Sequence, residues 1–349
     1  MKKRISEIAA IARFTSKRVS YIFMATITAM SVITLPTLQE GANAQQGRSA
    51  KKRPNVIMLI ADDMGFTDIG PYGSEVPTPN IDSIARNGLK FTNFHTGPSC
   101  SPSRSMILTG VDNHLAGLGT MDHRIDPNQK GKPGYEGYLT NKVVTIATML
   151  KDNGYHTYMA GKWHLGEEAQ YRPHARGFEE TFALLQGGGN HYNKYGFSWA
   201  KPINTYTRND VEVEVPDDFY STKTYTDKMI EFIEKNRRTG KPFFGYLAYT
   251  APHAPLQAPQ EYIQKYLGKY DIGWDKLREQ RFNRMKQLGL IPRDAQIPPR
   301  WSNVKAWDSL SPEEKRVESK KMAIYAAMID YLDMSIGRFI KYLKDSGQY

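Results

Sequence analysis

Three apolar runs in this chain stop at side chains able to do chemistry, and its single cysteine is a fourth reactive position. Asn55-Val56-Ile57-Met58-Leu59-Ile60-Ala61 ends in two adjacent carboxylates, Asp62 and Asp63. The single cysteine, Cys100, is followed four residues later by Arg104. Tyr155 to Ala160 runs into Gly161-Lys162-Trp163-His164, and Phe243 to Tyr249 runs into Thr250-Ala251-Pro252-His253-Ala254-Pro255. Paired carboxylates offer hard oxygen ligands to a divalent cation, or serve as a helix cap or solvated turn. A lone cysteine forms no internal disulfide, so it is either a small buried hydrophobe or a chemically used group. Lys162 and His164 are two residues apart, which on a continuing strand places both on one side. A histidine in a loop stiffened by prolines suits proton transfer.

The elements that must position these groups alternate between strands and helices. Asn55–Ala61 reads as a central strand buried on both faces. Pro79 opens a helix over Asn80–Asn87 with Gly88 as its stop, and Lys90–His95 reads as another strand. Pro102 lies in the first turn of a helix that carries Arg104 and ends at Gly110. Cys100 is therefore placed at a helix N-terminus, where backbone N–H groups favour an anion. Further helices are predicted over Val143–Asn153 and Thr222–Arg238, with strands over Tyr155–Ala160 and Phe243–Tyr249. The Gly-, Asn-, Tyr- and Pro-rich stretch from Gly187 to Ser221 reads as loops over a pocket. His191, Tyr192, Tyr195 and Trp199 are candidate liners there, as are His114, His123 and His174 elsewhere. Residues 256–310 read as an insertion of short helices and turns. Ser311-Pro312-Glu313-Glu314 is a capping box that opens a long helix to about Ser346. The fold class expected is α/β, a large and mostly parallel sheet with helices on both faces. In such a sheet the strand C-termini gather the four reactive positions at one edge.

The motifs that carry these residues are D-D-M-G at Asp62, T-P-N-I-D-S-I-A-R-N-G-L-K-F from Thr78, C-S-P-S-R from Cys100 with L-T-G from Leu108, G-K-W-H-L-G from Gly161 and A-P-H-A-P from Ala251. Together they resemble the type I sulfatases of the alkaline phosphatase-like superfamily, from Pro54 to the end of the chain. The resemblance implies that a maturation enzyme converts Cys100 to Cα-formylglycine, whose hydrated aldehyde attacks the sulfur of a sulfate ester. It implies metal ligation by Asp62, Asp63 and the Cys100-derived hydroxyl, with Ca²⁺ as the ion and Mg²⁺ as the second choice. Arg104 would orient the formylglycine and Lys162 would contact the sulfate oxygens. His164 would hold the gem-diol and take its proton when the sulfated intermediate collapses back to aldehyde, and His253 would protonate the leaving alcohol. A thiolate nucleophile is a poorer reading, because Arg104 lies nearer than in the C-x₅-R loop of cysteine phosphatases.

Family members carry, on the strand after the long helix, an Asp-Asn or Asp-Gln pair that completes the metal shell, then a further lysine on the sulfate. No match to either precedes Tyr349, and Asp330 and Asp333 lie inside the predicted helix. The expectation is a catalytic domain over 54–349 that is truncated, lacking the last strands of the sheet and a small C-terminal domain. The long helix would then bury its apolar face only in part.

Composition sets the remaining bounds. The 349 residues are 40% hydrophobic, as in a globular protein. Residues 1–44 combine a basic start, an apolar stretch from Val19 to Leu35 and Ala42-Asn43-Ala44, which predicts a secretory signal peptide cut after Ala44. Residues 45–53 form a polar, basic linker. The formal charge is +11, and the 1–44 segment carries six Lys/Arg and two Glu. Lys and Arg are otherwise scattered without a nucleic-acid-binding motif, so neither nucleic acid nor stable membrane insertion is expected. The predicted protein is exported, periplasmic or secreted, and acts on a sulfate ester of a small molecule or a glycan. The rival readings are a phosphonate or phosphate ester hydrolase with the same nucleophile, and a silent homologue that leaves Cys100 unmodified.

Overall fold

The computed structural model describes residues 53–198 and 201–349. The predicted signal peptide and all of the linker except Arg53 lie outside them. The strands are β1 (Val56–Asp62), β2 (His156–Lys162), β3 (Glu180–Leu184), β4 (Tyr195–Ser198), β5 (Lys201–Ile203), β6 (Tyr206–Arg208), β7 (Val211–Val213) and β8 (Phe243–Pro252). The helices are α1 (Pro79–Asn87), α2 (Cys100–Thr109), α3 (Ile146–Asp152), α4 (Ser221–Asn236), α5 (Gln260–Gln264), α6 (Gly273–Gln287) and α7 (Pro312–Asp345).

One six-stranded sheet runs in the order β1-β8-β2-β3-β6-β7, and β4 and β5 make a separate hairpin. β1, β8, β2 and β3 are parallel, while β6 and β7 extend the sheet antiparallel. Alternating residues of the central strands face two cores. Tyr158, Leu247 and Tyr249 meet α4 and α7 residues such as Phe232, Leu332 and Phe339 on one face. Met159, Phe244, Tyr246 and Ala248 meet Leu108 and Ala147 on the other. Helices thus cover both faces, as expected of α/β.

Several local expectations give way. β1 is an edge strand among the described residues, paired only with β8, so its apolar residues are half-buried instead of enclosed. Lys90–His95 forms no strand: no neighbouring strand offers it a ladder, and Phe91 and Phe94 are exposed. The loops read over 187–221 contain the short strands β4 to β7, where tertiary pairing overrides the turn-rich composition. The 256–310 insertion is dominated by α6, a helix of 15 residues. The capping box is present in both directions, with Ser311 Oγ accepting from Glu314 N–H and Glu314 accepting from Ser311 N–H. Contrary to the expectation for a truncated sheet, α7 buries Met328, Ile329, Leu332, Ile336, Phe339 and Leu343. Leu332, Ile336, Phe339 and Leu343 pack with strand and α4 residues, while Met328 and Ile329 pack with Val76, Tyr266, Tyr270 and Leu277. Asp333 turns out to be structural: its carboxylate accepts from Asn80 N–H, Ile81 N–H and the Asn80 amide at the start of α1, where Thr78 supplies no side-chain cap.

Candidate active site

The register of the sheet brings the first two reactive positions together. β1 and β8 run in step from Val56 opposite Phe244 to Ile60 opposite Ala248, then shift so that Asp62 lies opposite Pro252. His253 therefore follows β8 directly beside the carboxylate pair, and its Nε2 lies 3.4 Å from Asp63 Oδ2. Its Nδ1–H donates to Ala254 O at 2.6 Å, and its ring stacks on Phe197 at 5.6 Å between centroids. Asp63 sits in left-handed backbone at φ 50°, which turns its carboxylate outward while Asp62 stays buried.

The loop after Asp63 is held from outside. Asp68 accepts from Gly65 N–H at 2.7 Å and from Tyr325 OH at 2.6 Å, and pairs with Arg281 of α6. Arg281 also grips Glu75 through two nitrogens. None of these four residues stood out in sequence, because their roles exist only once α6 and α7 pack on the loop.

Cys100 is the first residue of α2, and the capping position Ser99 makes no side-chain bond to the helix amides. Its thiol is half-buried and free. One turn later Arg104 is buried, donating from Nη2 to Asp62 Oδ2 at 3.0 Å and from Nη1 to Lys162 O at 3.0 Å and Tyr246 OH at 3.2 Å. Lys162 ends β2 with no solvent exposure, and its ammonium forms an ion pair with the same Asp62 oxygen. Burial alone would raise the Asp62 carboxyl, but Arg104 and Lys162 outweigh it and hold the group below the usual carboxylate range. Asp62, Asp63 and Cys100 each offer a donor atom within 4.8 Å of the others, the arrangement a shared cation requires.

His164 lies past the strand: β2 stops at Lys162, and His164 adopts φ 58°, so strand alternation does not set its direction. Its ring lies beside His123, and its donor atom groups with Asp122 and His123. Burial, then the charges of Lys162 and Arg104, push its imidazole well below the ordinary histidine range, so it is neutral near pH 7. His191, a candidate pocket liner, is instead buried behind the His253 loop. Its Nε2–H donates to His253 O at 3.0 Å, and its Nδ1 accepts from Ser221 Oγ–H at 2.7 Å.

This constellation stands on a fold that known proteins share. Residues 54–349 match the sulfatase family. The chain belongs to that family. It is 45% identical over 312 residues to an uncharacterized sulfatase of Schizosaccharomyces pombe, covering 86% of this chain and 56% of that protein. An arylsulfatase of Klebsiella aerogenes is 42% identical over 330 residues, covering 92% of this chain and 68% of that enzyme. The crystal structure of Ps i-CgsB in complex with k-i-k-neocarrahexaose superposes with a TM-score of 0.60 at 27% identity, over 85% of this chain and 56% of that one. This sulfatase-family chain thus spans little more than half the length of the first of these relatives. Among its described residues no helix is long and apolar enough to cross a membrane.

Proposed function

We propose that this chain carries the nucleophile half of a sulfate monoester hydrolase, with Cys100 matured to Cα-formylglycine. The observation that carries the reading is the convergence of Asp62, Asp63 and Cys100 within 4.8 Å at the N-terminus of α2. Two carboxylates and a hydroxyl derived from Cys100 are hard oxygen donors and fit a Ca²⁺ ion, with Mg²⁺ the closer-fitting but less readily dehydrated alternative. When bound, the ion supplies Lewis-acid activation and charge neutralisation at the attacking hydroxyl.

The protein's own residues set the rest. Asp62 meets both buried cations, Arg104 and Lys162, and with Asp63 alongside it the formal charges of the two carboxylates and two cations cancel. A divalent ion added there leaves a net positive site, which favours the anionic ester over its neutral alcohol product. Lys162, whose ammonium makes no hydrogen bond of good geometry in the absence of substrate, is placed to donate to sulfate oxygens. Arg104 spends three contacts on Asp62, Lys162 and Tyr246, which suits it to hold the helix end in position. His164, neutral and enclosed, takes the proton of the formylglycine hydrate. His253 presents Nε2 toward the rim and gives a proton to the departing alcohol. Its stack on Phe197 leaves an aromatic wall suited to an aryl group or a sugar ring. The complex of Ps i-CgsB with a neocarrahexaose makes an oligosaccharide sulfate a candidate beside an aryl sulfate. The basic and apolar segments of residues 1–44 support export.

The test is production with a formylglycine-generating enzyme, peptide mass spectrometry across Gly97–Arg104, and assay of nitrophenyl sulfate against a phenylphosphonate monoester. An aldehyde at position 100 with preference for the sulfate is expected. A fully alkylatable thiol, or preference for the phosphonate, would overturn the reading.

A further inference from the structure

A second group of ligating side chains is distinct from the Asp62 cluster. Asp122, His123 and His164 each place one donor atom within 4.8 Å of the other two. Asp122 Oδ1 and His123 Nδ1 are 3.0 Å apart, a separation open to two atoms that each lie about 2.0–2.2 Å from one ion. The His123 and His164 rings are 14° from parallel with centroids 6.2 Å apart. The two segments are fixed independently of any ion. Asp122 opens a one-turn 3-10 helix packed under Gly137, while His164 is held by the left-handed backbone beyond β2.

Two further observations point to a cation. His164 Nδ1 is buried and has no hydrogen-bond partner, an unmet polar atom that normally costs about 1–3 kcal/mol. Asp122 and His164 also line a pocket of about 580 Å³ together with Glu136, Glu167, Glu168 and Arg172, which gives a hydrated ion room to reach them.

We propose that Asp122, His123 and His164 form a second metal site, one that takes a borderline transition ion such as Zn²⁺ or Cu²⁺ and not Ca²⁺. Two imidazole nitrogens and one carboxylate are donors that transition ions accept, whereas Ca²⁺ takes six to eight oxygens. The chain thus separates two ions by donor chemistry, oxygen at Asp62 and Asp63, nitrogen at His123 and His164. Coordination occupies a lone pair of His164 that proton transfer would need, so the ion acts as an inhibitor. That consequence rests on the function proposed above, whereas the binding does not.

The experiment is Cu²⁺ titration of the tag-free chain, read by pulsed EPR. The Asp62 cluster has one imidazole beside it, His253, so coupling from two imidazoles at once reports the new site. Two couplings at one equivalent are expected, retained in Cys100→Ala/Asp63→Asn and in excess Ca²⁺. His123→Ala and His123→Gln should reduce them to one or none and weaken Zn²⁺ binding about tenfold or more, with the circular dichroism spectrum unchanged. Absence of imidazole coupling, its loss on substituting Cys100 and Asp63, or unchanged Zn²⁺ affinity in both folded His123 variants would overturn the site. In matured protein, Zn²⁺ bound at full affinity without inhibition would instead remove His164 from the proposed mechanism while leaving the site standing.

Discussion

Arg104 reaches from α2 to Asp62 at the end of β1 and donates to Oδ2 at 3.0 Å, with both side chains almost wholly removed from water. Lys162 meets the same oxygen from β2. Three elements are thereby joined through one carboxylate, and the other Asp62 oxygen stays uncommitted to either cation. A buried group of this kind gains little over an apolar replacement of the whole, but it is costly to break in part, because each removal leaves an unpaired charge.

Asp62→Asn is therefore expected to destabilise the fold by about 3–5 kcal/mol, since it leaves two buried cations facing a neutral amide. Arg104→Met alone should cost less, as Lys162 still balances Asp62. The double substitution should be less damaging than the sum of the two singles. Urea denaturation at pH 7 measures all three, and strict additivity would show that Arg104 and Asp62 are not coupled.

Gly161→Ala tests how β2 delivers Lys162. Gly161 has φ 116°, and a Cβ there would sit 1.9 Å from Ala248 O, a backbone atom of the neighbouring strand that cannot move aside. The substitution combines strained backbone with a steric clash, so loss of about 3 kcal/mol or more is expected. A thermal melt within a degree of the parent would contradict the close approach of β2 and β8.

His191 gives the fold a pH dependence of known sign. Burial pushes its pKa down to about 4, with His253 O partly supporting the charged form. The unfolded chain protonates near pH 6.5 and the folded one near 4, so acid favours unfolding across that window. The His191 contribution is fully present above pH 6.5 and is lost as pH falls toward 4, amounting to about 3 kcal/mol. Urea midpoints at pH 7 and pH 4.5 should differ by less in His191→Gln than in the parent. Equal slopes would mean that the imidazole is not buried in its neutral form.

Legibility in the sequence followed how local each signal was. The end of β1, the start of α2 and the capping box of α7 rest on neighbouring residues, and all three stand where periodicity and turn chemistry put them. Lys90–His95 failed because alternation alone does not supply a partner strand. β1 looked enclosed for a similar reason, since an apolar run does not reveal whether it has one neighbour or two. At the site, the grouping of Asp62, Asp63, Cys100 and His253 was readable from strand ends, and the resemblance gave it chemical meaning. Strand alternation does not extend to His164, two residues past the end of β2, where left-handed backbone sets the direction instead. Tyr246 and the Arg281–Asp68–Tyr325 clamp were invisible, as they are set by packing between segments up to hundreds of residues apart. The adjacent pair Asp122-His123 could have been marked as a ligand motif from the sequence, yet its third member depends on the turn after β2.

His253 offers the sharpest check on the proposed chemistry. Its Nδ1–H is committed to Ala254 O, its backbone carbonyl is held by His191, and its Nε2 faces Asp63 at the rim. A side chain fixed at three points is oriented to deliver one proton in one direction. If that proton goes to the leaving alcohol, the benefit depends on how poor a leaving group the alkoxide is. In matured protein, His253→Ala should then slow esters of basic alcohols about 10²–10⁴-fold. Nitrophenyl sulfate, whose phenolate departs unaided, should lose far less. The measurement is kcat/KM for a series of aryl and alkyl sulfates in both proteins, plotted against the basicity of the leaving group. A steeper slope in the variant supports proton donation. Parallel lines would show that His253 only binds or positions the sulfate, and the acid would have to be sought elsewhere on the rim.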